Sequence, residues 1–141
     1  MIIKFQKLFE DTNLPSYAHP GDAGMDLRSH EEKTLEPFER YCFKIGLAVE
    51  IPDGFVGLVW DRSGLSLKEG VKTLGGVIDS GYRGEIGVTL VNISNTNIKI
   101  EKDDRIAQLL IQPVEICEIR EVKKLSDSAR GEGGFGASGK K

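Results

Sequence analysis

Short β-rich runs separated by turn residues occupy almost the whole chain, and they leave little choice of architecture. The runs are residues 2–8, 41–45, 47–51, 55–60, 86–91, 98–100 and 106–114. Pro52-Asp53-Gly54, Asn95-Thr96-Asn97 and Lys102-Asp103-Asp104 break them at turn-like spacing. Only residues 64–70 suit a helix, a short one with Ser63 as its N-cap. The pattern predicts an all-β protein, a jelly-roll-like or Greek-key barrel or sandwich with one short helix. No internal repeat is visible. Beyond Leu125 every residue except Ala129, Phe135 and Ala137 is polar or glycine, so the compact domain is expected to span 1–125, with 126–141 a flexible C-terminal arm.

Two strand runs are apolar at successive positions, 86–91 and 106–111. A strand with one wet face alternates, so both faces of these strands are expected to be covered. In a 141-residue chain a second subunit is the economical cover, and an oligomer is expected. The net charge of -3, with acids and bases intermixed, provides no electrostatic footprint for nucleic acid or membrane. Cys42 and Cys117 lie far apart in apolar surroundings and read as small buried thiols. The two histidines, His19 and His30, have no partner at metal-ligand spacing. With no apolar run long enough for a membrane span or a secretory leader, a soluble cytoplasmic protein is expected.

The chemistry gathers in a few segments. Arg130-Gly-Glu-Gly-Gly-Phe-Gly-Ala-Ser-Gly-Lys-Lys141 has no use in a packed core, because glycine loses the most entropy on ordering and adds no apolar area. Its bare N–H groups, Arg130 and Ser138 suit phosphate oxygens, and Phe135 suits a flat base. The same segment matches the G-x-G-x-x-G fingerprint and most of a phosphate loop. Both matches fail on context: the first is expected to have no crossover helix after it, and Lys141 stands where a phosphate loop requires Ser or Thr.

Upstream, Gly76-Val-Ile-Asp79-Ser-Gly-Tyr82-Arg-Gly84 carries an apolar strand to an aspartate at a hairpin mouth. Asp79 there can take a proton from water or simply bond its own turn. Arg62-Ser63-Gly64 at the helix start can hold an anion or merely cap the helix. Asp26 opens a strand in Ala23-Gly-Met-Asp-Leu27. Arg105 and Gln108 interrupt an apolar strand, and Gln108 requires a hydrogen-bond partner, structural or ligand.

In this order and spacing, Ala23–Leu27, Arg62–Leu65, Gly76–Gly84, Arg105–Leu109 and Arg130–Gly136 resemble the motifs of the trimeric dUTPase family (deoxyuridine triphosphate nucleotidohydrolases) across nearly the whole chain. The resemblance implies a jelly-roll homotrimer with active sites at subunit interfaces. It also implies hydrolysis of dUTP to dUMP and pyrophosphate with Mg²⁺, which keeps uracil out of DNA and supplies dUMP. Asp79 would be the general base for water attack on the α-phosphorus, and Asp26 would hold the metal through water. Tyr82 would pack under the deoxyribose and exclude a 2′-hydroxyl. The hairpin containing Gly76 and Gly87 would read the uracil edge with bare backbone. Arg62, Ser63, Gly64 and Gln108 would contact phosphates on a neighbouring subunit. Arg130 and Ser138 would reach the γ-phosphate, and Phe135 would stack on uracil.

The chain departs from the family pattern in several places. Asp61 stands where proline is frequent, Gly81 where aspartate is common, Asp103 for a frequent glycine, and Ala137-Ser138 for a usual Ser-Thr pair. The related dCTP deaminases carry a glutamate on the strand after the turn, and residues 86–92 contain no carboxylate. A non-catalytic nucleotide sensor would have no need of Asp79 as a base.

Overall fold

Alternating burial shapes the central strands. In the strand Glu85–Asn92 the side chains of Ile86, Val88, Leu90 and Asn92 are buried, while the residues between them are exposed or half-buried. A computed structural model describes residues 1–134. Its strands are β1 (Lys4–Lys7), β2 (Met25–Arg28), β3 (Lys33–Leu35), β4 (Arg40–Glu50) and β5 (Phe55–Trp60), followed after helix α1 (Ser63–Glu69) by β6 (Val71–Leu74), β7 (Val77–Ile78), β8 (Glu85–Asn92), β9 (Ile98–Ile100) and β10 (Arg105–Pro113). They form antiparallel sheets ordered β1-β4-β8-β6 and β2-β10-β5-β7, with β3-β9 as a two-stranded ribbon. The all-β expectation holds. The mixed-composition strands β3 and β6 escape the sequence reading because neither is an uninterrupted apolar run.

One core joins both four-stranded sheets. Leu27, Ala107 and Leu109 meet Phe43, Ile45, Ile86, Val88 and Leu90, all essentially sealed from solvent. Each fully buried side chain of this size contributes about 1.5–3 kcal/mol of transfer free energy. Asn92 is the polar exception. Its amide donates to the carbonyls of Leu35, Glu36 and Thr96, and its Oδ1 accepts from Ser94 N–H and hydroxyl. With every polar atom engaged, it ties β8 to the β3 end and the following turn.

Several sequence expectations need correction. Residues 41–45 and 47–51 belong largely to one strand, β4, bent at Gly46, where φ is 67° and the pairing register shifts between Lys44 and Ala48. Ser63 is not the helix cap: Arg62 occupies that position without a side-chain cap bond, because a guanidinium has no acceptor to offer the free N–H groups, and it donates to Asp26. Cys42 and Cys117 are exposed, not buried. Cys42 falls on the outward side of β4 between Arg40 and Lys44, and Cys117 lies past the last strand. Within one chain β8 is covered on one face only.

The last strand ends at Pro113, and residues 115–132 are exposed throughout, with Ile116 and Ile119 bare in the single chain. Among the described residues, no helix is long and apolar enough to cross a membrane.

Candidate active site

The register of the β2-β10-β5 sheet lines up the polar residues of one cavity. Gln108 on the central strand β10 pairs with Asp26 on β2 and with Trp60 on β5. The chain then leaves β5 through Asp61 and Arg62 into α1. Asp26, Arg62, Ser63, Gly64 and Gln108 thereby line a cavity of about 270 Å³, together with residues from the 18–24 loop.

One of its two lining carboxylates, Asp26, is held between two guanidiniums. Asp26, with its side chain only 12% exposed, accepts from Arg62 Nε at 3.0 Å and Arg105 Nη1 at 3.1 Å, one on each oxygen. Arg62 Nη1 also donates to the Arg105 carbonyl at 3.0 Å. Of the two arginines only Arg62 lines this cavity, beside Asp22 and Asp26, and the Arg62 guanidinium and the Ser63 hydroxyl are donors there for an anionic guest. Gln108 Nε2 donates to the Asp61 carbonyl at 2.7 Å, and a β-carbon at Gly24 would overlap the Gln108 amide. The bare backbone of Gly24 therefore makes room for this side chain.

A second cavity, of about 220 Å³, lies on the other side of β5, where that strand pairs with β7. Gly76, Asp79, Tyr82 and Gly87 line it with Val59, Val77, Ile78 and Ile86. Gly76, at φ 102°, accepts from Val59 N–H at 2.7 Å. Asp79 follows β7 directly and is exposed; its carbonyl accepts from Tyr82 N–H, closing the turn. Among the described residues its carboxylate has no hydrogen-bond partner, so the turn does not consume it. Tyr82 is anchored by its hydroxyl, which donates to the Glu85 carbonyl at 2.8 Å, and a β-carbon on Gly84 would strike its ring.

The named residues thus fall into two groups on one chain, Asp26, Arg62, Ser63, Gly64 and Gln108 in one cavity and Gly76, Asp79, Tyr82 and Gly87 in the other. Arg130 joins neither; its Nε donates to the Gly133 carbonyl at 2.6 Å on an exposed segment. Phe135 and Ser138 lie outside the described residues.

Gly24, Gly84 and Asp61 were not singled out as site residues by the sequence. Glycine spacing around Tyr82 was the available signal for Gly84; nothing local marks Gly24 as the neighbour of Gln108. Asp61 accepts from Thr73 N–H and hydroxyl at 2.6 Å each and from Lys72 at 2.5 Å. Burial raises its carboxyl, but these bonds outweigh that effect and hold it below the ordinary aspartate range.

Some departures from the family pattern now have a physical reading. Asp103 sits at φ 70°, the left-handed region that a glycine would occupy without strain. It is supported by a bond from Asn13 Nδ2 to its carboxylate at 2.8 Å. Gly81 faces open space, so nothing opposes a side chain there. Strand β8 begins one residue earlier than the apolar run, at Glu85. That carboxylate accepts from Gly46 N–H at 3.0 Å and does not line the second cavity.

The fold by itself places this chain among the antiparallel jelly-roll proteins. The dUTPase family model matches residues 10–139. A deoxyuridine 5'-triphosphate nucleotidohydrolase of Clostridium tetani is 47% identical over 140 residues, covering 98% of this chain and 97% of that protein. Its counterpart in Clostridioides difficile is 46% identical over 139 residues, covering 97% of each. The structure of the Staphylococcus bacteriophage 80alpha dUTPase with dUPNHPP superposes with a TM-score of 0.91 at 36% identity, covering 98% of both chains. A dUTPase mutant from phage phi11 of S. aureus, described as coordinating a structural Mg(II) ion, gives 0.84 at 29% identity, covering 90% of this chain and all of that one. The chain belongs to the dUTPase family.

Proposed function

We propose that this protein hydrolyses dUTP to dUMP and pyrophosphate by water attack on the α-phosphorus, at a site completed between subunits of a homotrimer. The observation that carries the reading is the division of labour between the two cavities. One sets Val59, Val77, Ile78 and Ile86 beside Tyr82 and the unpartnered Asp79 carboxylate; the other is mostly polar and presents Arg62, Ser63, Gly64 and Gln108. A nucleoside suits the first and a triphosphate the second.

Asp79 is the base. It stands exposed at the hairpin mouth with no partner among the described residues, free to orient a water and accept its proton. Positioning and charge neutralisation do most of the remaining work in phosphoryl chemistry. Tyr82 presents its ring to the sugar, with its hydroxyl tied back to Glu85, so a 2′-hydroxyl meets a fixed wall. Gly76 and Gly87 offer backbone donors and acceptors to the uracil edge, which cytosine would leave unpaired.

Because β5 stands between the two cavities of one chain, Arg62, Ser63, Gly64 and Gln108 serve a neighbour's nucleotide. Arg130, Phe135 and Ser138 close over the site from the arm, 126–141. The bare Ile116 and Ile119 supply apolar surface for subunit contact.

Among the described residues no cluster of three His, Cys, Asp or Glu side chains offers a metal cage. Asp26, with both oxygens already bonded to arginine, fits the water shell of a Mg²⁺ carried by the triphosphate rather than the ion itself. Mg²⁺ there supplies charge neutralisation. Asp26 and its arginines orient the phosphate end.

Pyrophosphate release measured side by side with dUTP, UTP, dCTP and dTTP tests the reading. Turnover confined to dUTP is expected; comparable rates with dCTP or UTP would overturn it.

A further inference from the structure

Asp61 occupies a seam between the two four-stranded sheets. It follows β5, a strand of one sheet, and its carboxylate grips β6, an edge strand of the other. Oδ1 accepts from both Thr73 N–H and the Thr73 hydroxyl, and Oδ2 accepts from Lys72. The Asp61 side chain is 20% exposed and Thr73 is buried, so this is no loose surface pair. On its backbone side the same residue accepts the Gln108 amide, and its successor Arg62 reaches Asp26. A proline, frequent here in the family pattern, could make neither side-chain contact.

We propose that Asp61 is a positioning residue: its carboxylate clamps β6 so that the Asp61 carbonyl holds Gln108, and the Arg62-Ser63-Gly64 turn, in phosphate-binding geometry. The inference rests on the phosphate-contacting reading of Gln108 and that turn. Without the clamp, Thr73 N–H and hydroxyl lose their acceptor, and the end of β5 is free to move away from β6. The Asp61 carbonyl moves with it, and Gln108 loses the partner that aims it. Small displacements of this kind lower productive binding without touching the base. The effect falls on the phosphate end of the substrate, and the nucleoside cavity beyond β5 feels it less.

Steady-state kinetics on the full-length protein test the clamp through Asp61→Ala, Asp61→Asn, Thr73→Val, Gln108→Ala and the double variant Asp61→Ala with Gln108→Ala. Asp61→Ala is expected to raise KM for dUTP about 10-fold or more, while inhibition by dUMP shifts by less than about two-fold. Asp61→Asn recovers most of the loss, because an amide oxygen still accepts from Thr73. The double variant matches the worse single one instead of multiplying their effects. Should Asp61→Ala fail to fold, Thr73→Val carries the test with a smaller rise in KM in the same direction. An unchanged KM, equal weakening of dUTP and dUMP, or multiplying effects overturns the inference. If Gln108→Ala raises KM and neither clamp variant does, the clamp alone is wrong. An unaltered KM in Gln108→Ala overturns the phosphate reading and the clamp together.

Discussion

Gly76 and Val59 are locked backbone to backbone: Val59 N–H donates to the Gly76 carbonyl at 2.7 Å, and a β-carbon on Gly76 would sit 2.6 Å from the Val59 carbonyl oxygen. With φ at 102°, Gly76 holds a conformation that other residues adopt only under strain. Gly76→Ala therefore combines strain with a clash against backbone that cannot rotate away. A loss of about 1–3 kcal/mol in urea unfolding is expected, together with a drop in kcat/KM for dUTP of about 100-fold as the hairpin shifts. Wild-type values of both would show that the close approach is unnecessary.

Asp79→Asn keeps the shape of the hairpin mouth and removes the proton acceptor. The expected result is a fall in kcat of about 10²–10⁴, with affinity for the non-hydrolysable analogue dUPNHPP close to wild type by calorimetry. A variant that turns over at the normal rate removes Asp79 from the mechanism.

Tyr82 is aimed by its bond to the Glu85 carbonyl and by the missing side chain at Gly84. Replacing it with alanine opens space beneath the sugar. Discrimination between dUTP and UTP, taken as the ratio of kcat/KM values, is expected to fall about 10-fold or more. Tyr82→Phe keeps the ring, and most of the discrimination should survive. Equal selectivity in all three proteins would place the sugar elsewhere.

Ending the chain at Ser126 removes none of the buried core, whose members run from Met25 to Leu109. The melting temperature is expected to stay near wild type, whereas kcat/KM falls about 10-fold or more with loss of the stacking and phosphate contacts proposed for the arm. A truncated protein that unfolds would make those residues structural; one with full activity would make them dispensable.

Much of the site could be read from the chain because its chemistry is local. Asp79, Tyr82 and the glycines around them lie within a few residues of one another, and so do Arg62, Ser63 and Gly64. Residues whose significance depends on a distant neighbour could not be read. Gly24 matters because Gln108 lies against it, and Asp61 because Thr73 and Lys72 come to its carboxylate from another sheet. The cysteines were misplaced for a similar reason: apolar neighbours in sequence do not say which side of β4 position 42 faces.

The sequence alone determined an all-β architecture, a chain without the charge pattern of a nucleic-acid binder, and an ordered set of motifs resembling the dUTPase family. Turn chemistry, side-chain alternation and residue type are properties of short segments and survive without a fold. Tertiary structure decided what those segments meet. The pairing of Gln108 with both Asp26 and Trp60 builds one cavity, the approach of Gly76 to Val59 builds the other, and β5 keeps them apart on a single chain. Register and sheet order set these contacts, and both emerge only when distant strands bury one common core.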